Sequence, residues 1–218
     1  MTGTTLPDLG ARPAVVVIDM QNAFCEPEGF VGRLGLDYTA ARRAVEPISR
    51  LLEVSRAAGI PIFHAMHTLN PDYSDAGVIM ELFPRIREVG GLARGSWDAE
   101  IIRELQPLTG EPVIDKPRQS AFYGTDFEQQ LSALGVDTLI VCGVTTNVCV
   151  ASTVRDAFSR DIRTVVPSDA TAATFPEMHE SALRDFTYAY GQVATVDEIA
   201  AALAAMTAAA RSPAAARS

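Results

Sequence analysis

The sequence predicts an α/β domain whose sheet is mostly parallel and covered by helices on both faces, and three observations predict it. Two runs, Ala14 to Ile18 and Thr138 to Val144, are apolar almost throughout rather than alternating, the pattern of strands buried on both sides. Segments of helical period lie between the strand-like runs. Gly59 and Gly135 close two of those helical segments, where a left-handed cap is needed. Strands alternating with helices give a parallel sheet built from crossover units.

Taken in order, residues 1–12 read as a loose polar arm and Ala14 to Asp19 as the first strand. Gln21 to Leu36 reads as a Gly- and Pro-containing loop anchored by Phe24, Phe30 and Val31. A helix is expected from Tyr38 to Ala58, with Ala44, Val45, Ile48, Leu51, Leu52 and Val54 on its apolar side and a kink at Pro47. Ile60 to Met66 is the second strand. A long loop follows to about Gly95, with a short helix near Ile79 to Phe83; loops of this length usually carry function. Asp98 to Leu105 is expected as a short helix and Val113 to Asp115 as a strand. Helices then cover Asp126 to Leu134, Val148 to Arg160, Glu177 to Tyr188 and Val196 to Ala209. The strands Thr138 to Val144, Arg163 to Pro167 and Gln192 to Thr195 separate them, and residues 211–218 read as frayed. One domain accounts for the whole chain, with its core at about 13–205.

The 218 residues carry a formal net charge of -9 and no basic patch, which makes nucleic acid and anionic membranes poor partners. No apolar run reaches membrane-spanning length, and the N-terminus lacks a signal-peptide pattern, so a cytoplasmic protein is the expectation. Three cysteines, Cys25, Cys142 and Cys149, are too few and too irregular for a disulfide framework or a metal site.

Cys149 is the candidate nucleophile. It follows a buried strand and the short turn Thr145-Thr146-Asn147, and so falls in the first turn of a helix. The helix dipole and free N–H groups there favour a thiolate. Asp19 ends the first strand and Lys116 follows Val113 to Asp115. In an open parallel sheet, ligands bind beyond the carboxyl ends of the strands, so the three residues can share one crevice. Each has a structural alternative: a buried small hydrophobe, a helix cap, a solvated turn residue. Together they suit acyl transfer. Asp19 takes the thiol proton and returns it to the leaving nitrogen, Lys116 keeps Asp19 ionised and steadies the thiolate, and the turn before Cys149 supplies an oxyanion hole that includes the Cys149 N–H. This chemistry needs no metal or cofactor.

Three segments carry a resemblance: Val15-Val16-Val17-Ile18-Asp19-Met20-Gln21-Asn22, Asp115-Lys116-Pro117-Arg118-Gln119-Ser120-Ala121-Phe122, and Cys142-Gly143-Val144-Thr145-Thr146-Asn147-Val148-Cys149-Val150. In this order they resemble the isochorismatase-like cysteine hydrolases, over about residues 13 to 205. The resemblance implies a Rossmann-like three-layer α/β/α sandwich with six mainly parallel strands. It implies an Asp-Lys-Cys triad at Asp19, Lys116 and Cys149, and a cis peptide between Val144 and Thr145 that aims the oxyanion donors. Members that cleave a vinyl ether lack the nucleophilic cysteine that is present here. Nicotinamidases carry an Asp-x-His…His metal cluster after the second strand. This chain has His64 and His67 there without the matching Asp, and i, i+3 residues on a strand face opposite ways; no metal is expected, and His67 is the one expected to line the cavity.

Gly95-Ser96-Trp97-Asp98 and Lys116-Pro117-Arg118 look most like ureidoacrylate amidohydrolases and their carbamoyl-cleaving relatives, such as biuret and N-carbamoylsarcosine hydrolases. The implied reaction is C–N cleavage of a small linear amide, ureido or carbamoyl compound through a thioester. Arg118 is the candidate to hold a carboxylate on the substrate, with a surface ion pair as its alternative, and Phe24, Trp97, Phe122 and Tyr123 are candidate pocket walls, with plain core packing as theirs. Hydrolysis of a larger lactam, nicotinamidase-like activity and a non-catalytic binding role are the alternatives. The resemblance, and the apolar set Val78, Ile79, Leu82, Phe83 and Ile86 in the long loop, imply a homodimer or homotetramer.

Overall fold

The computed structural model describes residues 6–210; the arm at 1–5 and the tail at 211–218 lie outside the described residues. In chain order the elements are β1 (Pro13–Ile18), α1 (Asn22–Cys25), α2 (Phe30–Arg33), α3 (Thr39–Ala57), β2 (Ile62–His67), α4 (Ile79–Leu82), α5 (Arg85–Glu88) and β3 (Val113–Lys116). They continue with α6 (Phe127–Leu134), β4 (Thr138–Val144), α7 (Ala151–Phe158), β5 (Arg163–Pro167), β6 (Thr171–Ala172), α8 (Pro176–Asp185), β7 (Gln192–Ala194) and α9 (Val196–Ala210).

The strands pair in parallel in the order β3-β2-β1-β4-β5-β7. The chain builds outward from β1 to one edge, then restarts at β4 and builds to the other. A switch point therefore opens between β1 and β4, the place where such sheets bind ligands. Both central strands are buried along their full length. Their side chains alternate between two cores. Val15, Val17, Ile140 and Cys142 join α3 and α9 on one face. Ala14, Val16, Leu139 and Val141 join α6 and α7 on the other. Among the described residues no helix is long and apolar enough to cross a membrane.

Several expectations are corrected. A seventh strand exists: β5 pairs with β4 only along Thr138 to Ile140, and β6 takes up the far end of β4, with Gly143 opposite Thr171 and Val144 opposite Ala172. Residues 8–12 are not loose. The Asp8 N–H donates to Gln192 Oε1 (2.9 Å), the N–H groups of Ala11 and Arg12 donate to the Asp137 carboxylate, and Leu9 is buried. Residues 98–105 do not form a helix but two separate 3₁₀ turns, Trp97–Ala99 and Arg103–Leu105. Their backbone is committed elsewhere: Glu100 O accepts from the Asn22 N–H (2.9 Å), and the Ile102 N–H donates to Met20 O (3.0 Å). The Gln21 to Leu36 loop holds two single-turn helices, α1 and α2, and α3 runs through Pro47 without interruption. π turns adjoin two of the later helices, Thr146–Val150 leading into α7 and Phe186–Tyr190 following α8.

Candidate active site

Register delivers three side chains to one place. Ile18 lies opposite both Ala65 and Gly143, and His67 lies opposite Lys116, so Asp19, His67, Lys116 and the turn after β4 emerge side by side. The close approach of β1 and β4 requires glycine at 143. Its φ is +105°, and a Cβ there would stand 2.1 Å from Ile18 O.

Lys116 Nζ donates to Asp19 Oδ2 at 2.8 Å and to the Arg118 carbonyl at 3.2 Å. Both charged side chains are wholly buried. The Cys149 thiol stands beside this pair. One carboxylate oxygen of Asp19, one ring nitrogen of His67 and Cys149 Sγ all lie within 4.8 Å of one another. Asp19 itself adopts a left-handed conformation, φ 52°, which Asp tolerates better than most residues. The Val144–Thr145 peptide bond is cis. Cys149 sits in the π turn Thr146–Val150, where the Val148 and Val150 N–H groups both donate to Thr145 O (3.0 and 3.2 Å).

Burial dominates the electrostatics. It pushes the Cys149 thiol well up, with the Lys116 ammonium opposing, so the resting form is the thiol. Burial also raises the Asp19 carboxyl, again against Lys116, which makes Asp19 a stronger base than a surface carboxylate. For Lys116 burial acts downward, but the negative charge of Asp19 and the hydrogen bond to it outweigh that and the ammonium is held above its ordinary value. His67 is pushed down to about 3 by burial and by the charges of Lys116 and Arg118, and is therefore neutral. Cys25 and Cys142 are also raised by burial, but neither has Asp19 or Lys116 as a partner.

The other sequence-predicted residues divide. Phe24 lines a small hollow with Val31, Val144, Thr145 and Ala172, on the same turn as the cis peptide. Phe122 is not a pocket wall. It packs in the core on Phe127 (5.0 Å between centroids), with Arg160 4.7 Å from its ring centre. Trp97 and Tyr123 are 47% and 59% exposed. Arg118 has a structural duty: Nη1 donates to Asp75 O (2.7 Å) and Pro117 O (2.6 Å), and the guanidinium stands over Tyr123. Gly77 beside it has φ +62°, the left-handed conformation that favours glycine. His64 faces away from the cluster and shares Glu111 with Arg56.

Four supporting residues received no role in the sequence reading. Gln21 clamps the strand ends, donating to His67 O (3.1 Å) and Ala99 O (2.8 Å) and accepting from the His67 N–H (2.9 Å). Buried Asp98 accepts from the N–H groups of Phe30 and Leu92 and ties the start of α2 to the end of the long loop. Thr153 donates to Cys149 O (2.8 Å) and accepts from the Ala121 N–H (3.1 Å), tying the nucleophile's backbone to the segment after Lys116. Thr146 Oγ1 meets His179 Nδ1 at 2.8 Å. The signal for Gln21 and Thr153 was present as polar residues three positions beyond the first apolar run and one turn beyond Cys149.

The chain is 34% identical over 204 residues to the ureidoacrylate amidohydrolase RutB of Azorhizobium caulinodans, covering 88% of this chain and 90% of that one. It is 36% identical over 206 residues to the enzyme of the same name from Methylobacterium radiotolerans, covering 88% and 80%. A cysteine hydrolase from Pseudomonas syringae pv. phaseolicola superimposes with a TM-score of 0.83 at 33% identity, covering 94% of this chain and 100% of that one. The N-carbamoylsarcosine amidase of Thermoplasma acidophilum superimposes with a TM-score of 0.69 at 32% identity, covering 85% and 97%. The isochorismatase domain model matches residues 13–198, and with these relatives it establishes that the chain belongs to the isochorismatase family.

Proposed function

We propose that this protein is a cysteine amidohydrolase that cleaves a C–N bond of a small linear amide, ureido or carbamoyl compound through a thioester on Cys149. The observation that carries the reading is the fully buried Lys116–Asp19 pair, 2.8 Å apart, with the Cys149 thiol within 4.8 Å of Asp19 at the switch point of the sheet.

Asp19 removes the Cys149 proton as sulfur adds to the substrate carbonyl. The oxyanion is held at the Val144–Thr145 turn and the Cys149 N–H. Collapse breaks the C–N bond, and the proton on Asp19 goes to the departing nitrogen, releasing ammonia or an amine. Water then adds to the thioester with Asp19 again as base, freeing the acid and the thiol. Lys116 keeps its positive charge throughout and offsets the negative charge that passes between Asp19, sulfur and the carbonyl oxygen. A reactive thiol suits a reducing compartment, so the reading assigns the enzyme to the cytoplasm.

The relatives named for ureidoacrylate and N-carbamoylsarcosine support a ureido or carbamoyl substrate. Phe24 and neutral His67 line its path, Trp97 and Tyr123 stand at the rim, and Arg118 offers its remaining N–H groups to an anion on the substrate. Ammonia release across a panel of ureido acids, carbamoyl amino acids, simple amides and lactams tests this. Linear ureido and carbamoyl acids should turn over fastest. Turnover confined to lactams, or to neutral amides, would overturn it.

A further inference from the structure

The same cluster has donor atoms suited to a soft cation. Asp19, His67 and Cys149 each present one ligand atom, all within 4.8 Å of one another and all on buried side chains. Among the described residues, Asp19 Oδ1 and His67 Nε2 have no hydrogen-bond partner, although both are shielded from solvent. Buried polar atoms are rarely left so. Lys116 occupies Oδ2 and leaves the other carboxylate oxygen free.

Tetrahedral Zn²⁺, with bonds of about 2.3 Å to sulfur and about 2.0–2.1 Å to nitrogen and oxygen, sets its ligand atoms about 3.4–3.6 Å apart. Set against a present spread of at most 4.8 Å, the cluster needs to contract by no more than about 1.2–1.4 Å to reach that spacing. Sulfur, imidazole and carboxylate together favour Zn²⁺ over Mg²⁺ or Ca²⁺, which prefer oxygen alone.

We propose that Asp19, His67 and Cys149 form an inhibitory site for a thiophilic divalent cation, Zn²⁺ above all. The ion takes the Cys149 sulfur as thiolate, the displaced proton leaves to solvent, and the nucleophile is masked. The Lys116 ammonium beside the site repels the ion and keeps binding reversible by chelators. The proposal stands on the donor geometry and does not require the thioester mechanism.

Equilibrium dialysis of the chelator-stripped full chain against Zn²⁺ should give one ion per chain. Cys149→Ala and His67→Ala should each weaken binding by at least about tenfold. Bound Zn²⁺ should protect Cys149 from iodoacetamide, and a chelator should restore labelling. Co²⁺ added to the wild-type protein should give a sulfur-to-metal charge-transfer band in the near ultraviolet that Cys149→Ala lacks, a readout independent of whether His67→Ala folds. Absence of that band in the wild type, or equal Zn²⁺ binding by wild type and Cys149→Ala, would overturn the proposal.

Discussion

Lys116 donates to Asp19 across 2.8 Å with neither side chain reaching solvent. A buried ion pair is balanced only while both partners are present, because each charge has lost its hydration. In Lys116→Met the carboxylate of Asp19 keeps its burial and loses its counter-ion. The expected cost is about 3–5 kcal/mol of folding stability, read as a lowered urea midpoint. A loss below about 1 kcal/mol would mean that the pair is not desolvated as described.

Asp19→Asn tests proton acceptance rather than charge balance. The thiol is held protonated by burial and needs a base to react. Iodoacetamide should therefore modify Cys149 more slowly in Asp19→Asn than in the wild type at neutral pH, while the two proteins give the same circular dichroism spectrum. An unchanged alkylation rate with normal turnover would remove Asp19 from the mechanism.

Glu111 sets an acid limit on stability away from the site. Burial would raise its carboxyl, but Arg56, the Leu108 N–H and His64 outweigh that and pull it down to about 2. A carboxyl depressed in the folded state contributes stability above its unfolded value, 4.5, and loses it as pH falls towards 2. Glu111→Gln should therefore lower Tm at neutral pH and flatten the fall in Tm between about pH 4.5 and 2. A wild-type-like slope in that window would assign the acid sensitivity to other groups.

The long loop settles part of its own apolar content. Ile86 is buried with Leu69, Tyr73 and Leu92, and Ile79 packs against them. Val78, Leu82 and Phe83 remain 70%, 73% and 56% exposed. Three large apolar side chains exposed within six residues are what an interface between copies of this chain would use. Light scattering should give a dimer or tetramer, and Leu82→Glu combined with Phe83→Glu should reduce it to monomers. A monomer of about 23 kDa in the wild type would refute the oligomer.

The parts of this fold that were legible share a cause. β1 and β4 are buried on both faces, so their apolar character is continuous and their ends are sharp; Asp19 and Cys149 stand just beyond the ends of those two runs, where a parallel sheet places its chemistry. Lys116 obeys the same rule on a shorter strand. The parts that stayed hidden depend on contacts distant in sequence. Residues 100–102 lose their helical pattern to bonds with Met20 and Asn22, and Phe122 goes to the core because Phe127 and Arg160 meet it there. Asp8, Ala11 and Arg12 look like a loose arm until Gln192 and Asp137 are placed beside them. The second duty of Arg118, holding Asp75 O, depends on where a long loop returns.

The claim on which the account rests is covalent catalysis by Cys149, and the most direct measurement is ammonia release by Cys149→Ser beside the wild type on the best ureido or carbamoyl substrate. The serine variant keeps the shape of the site and lacks the sulfur nucleophile. The account predicts a folded protein whose kcat falls below about a hundredth of the wild-type value. A Cys149→Ser enzyme that retains more than that fraction would contradict it.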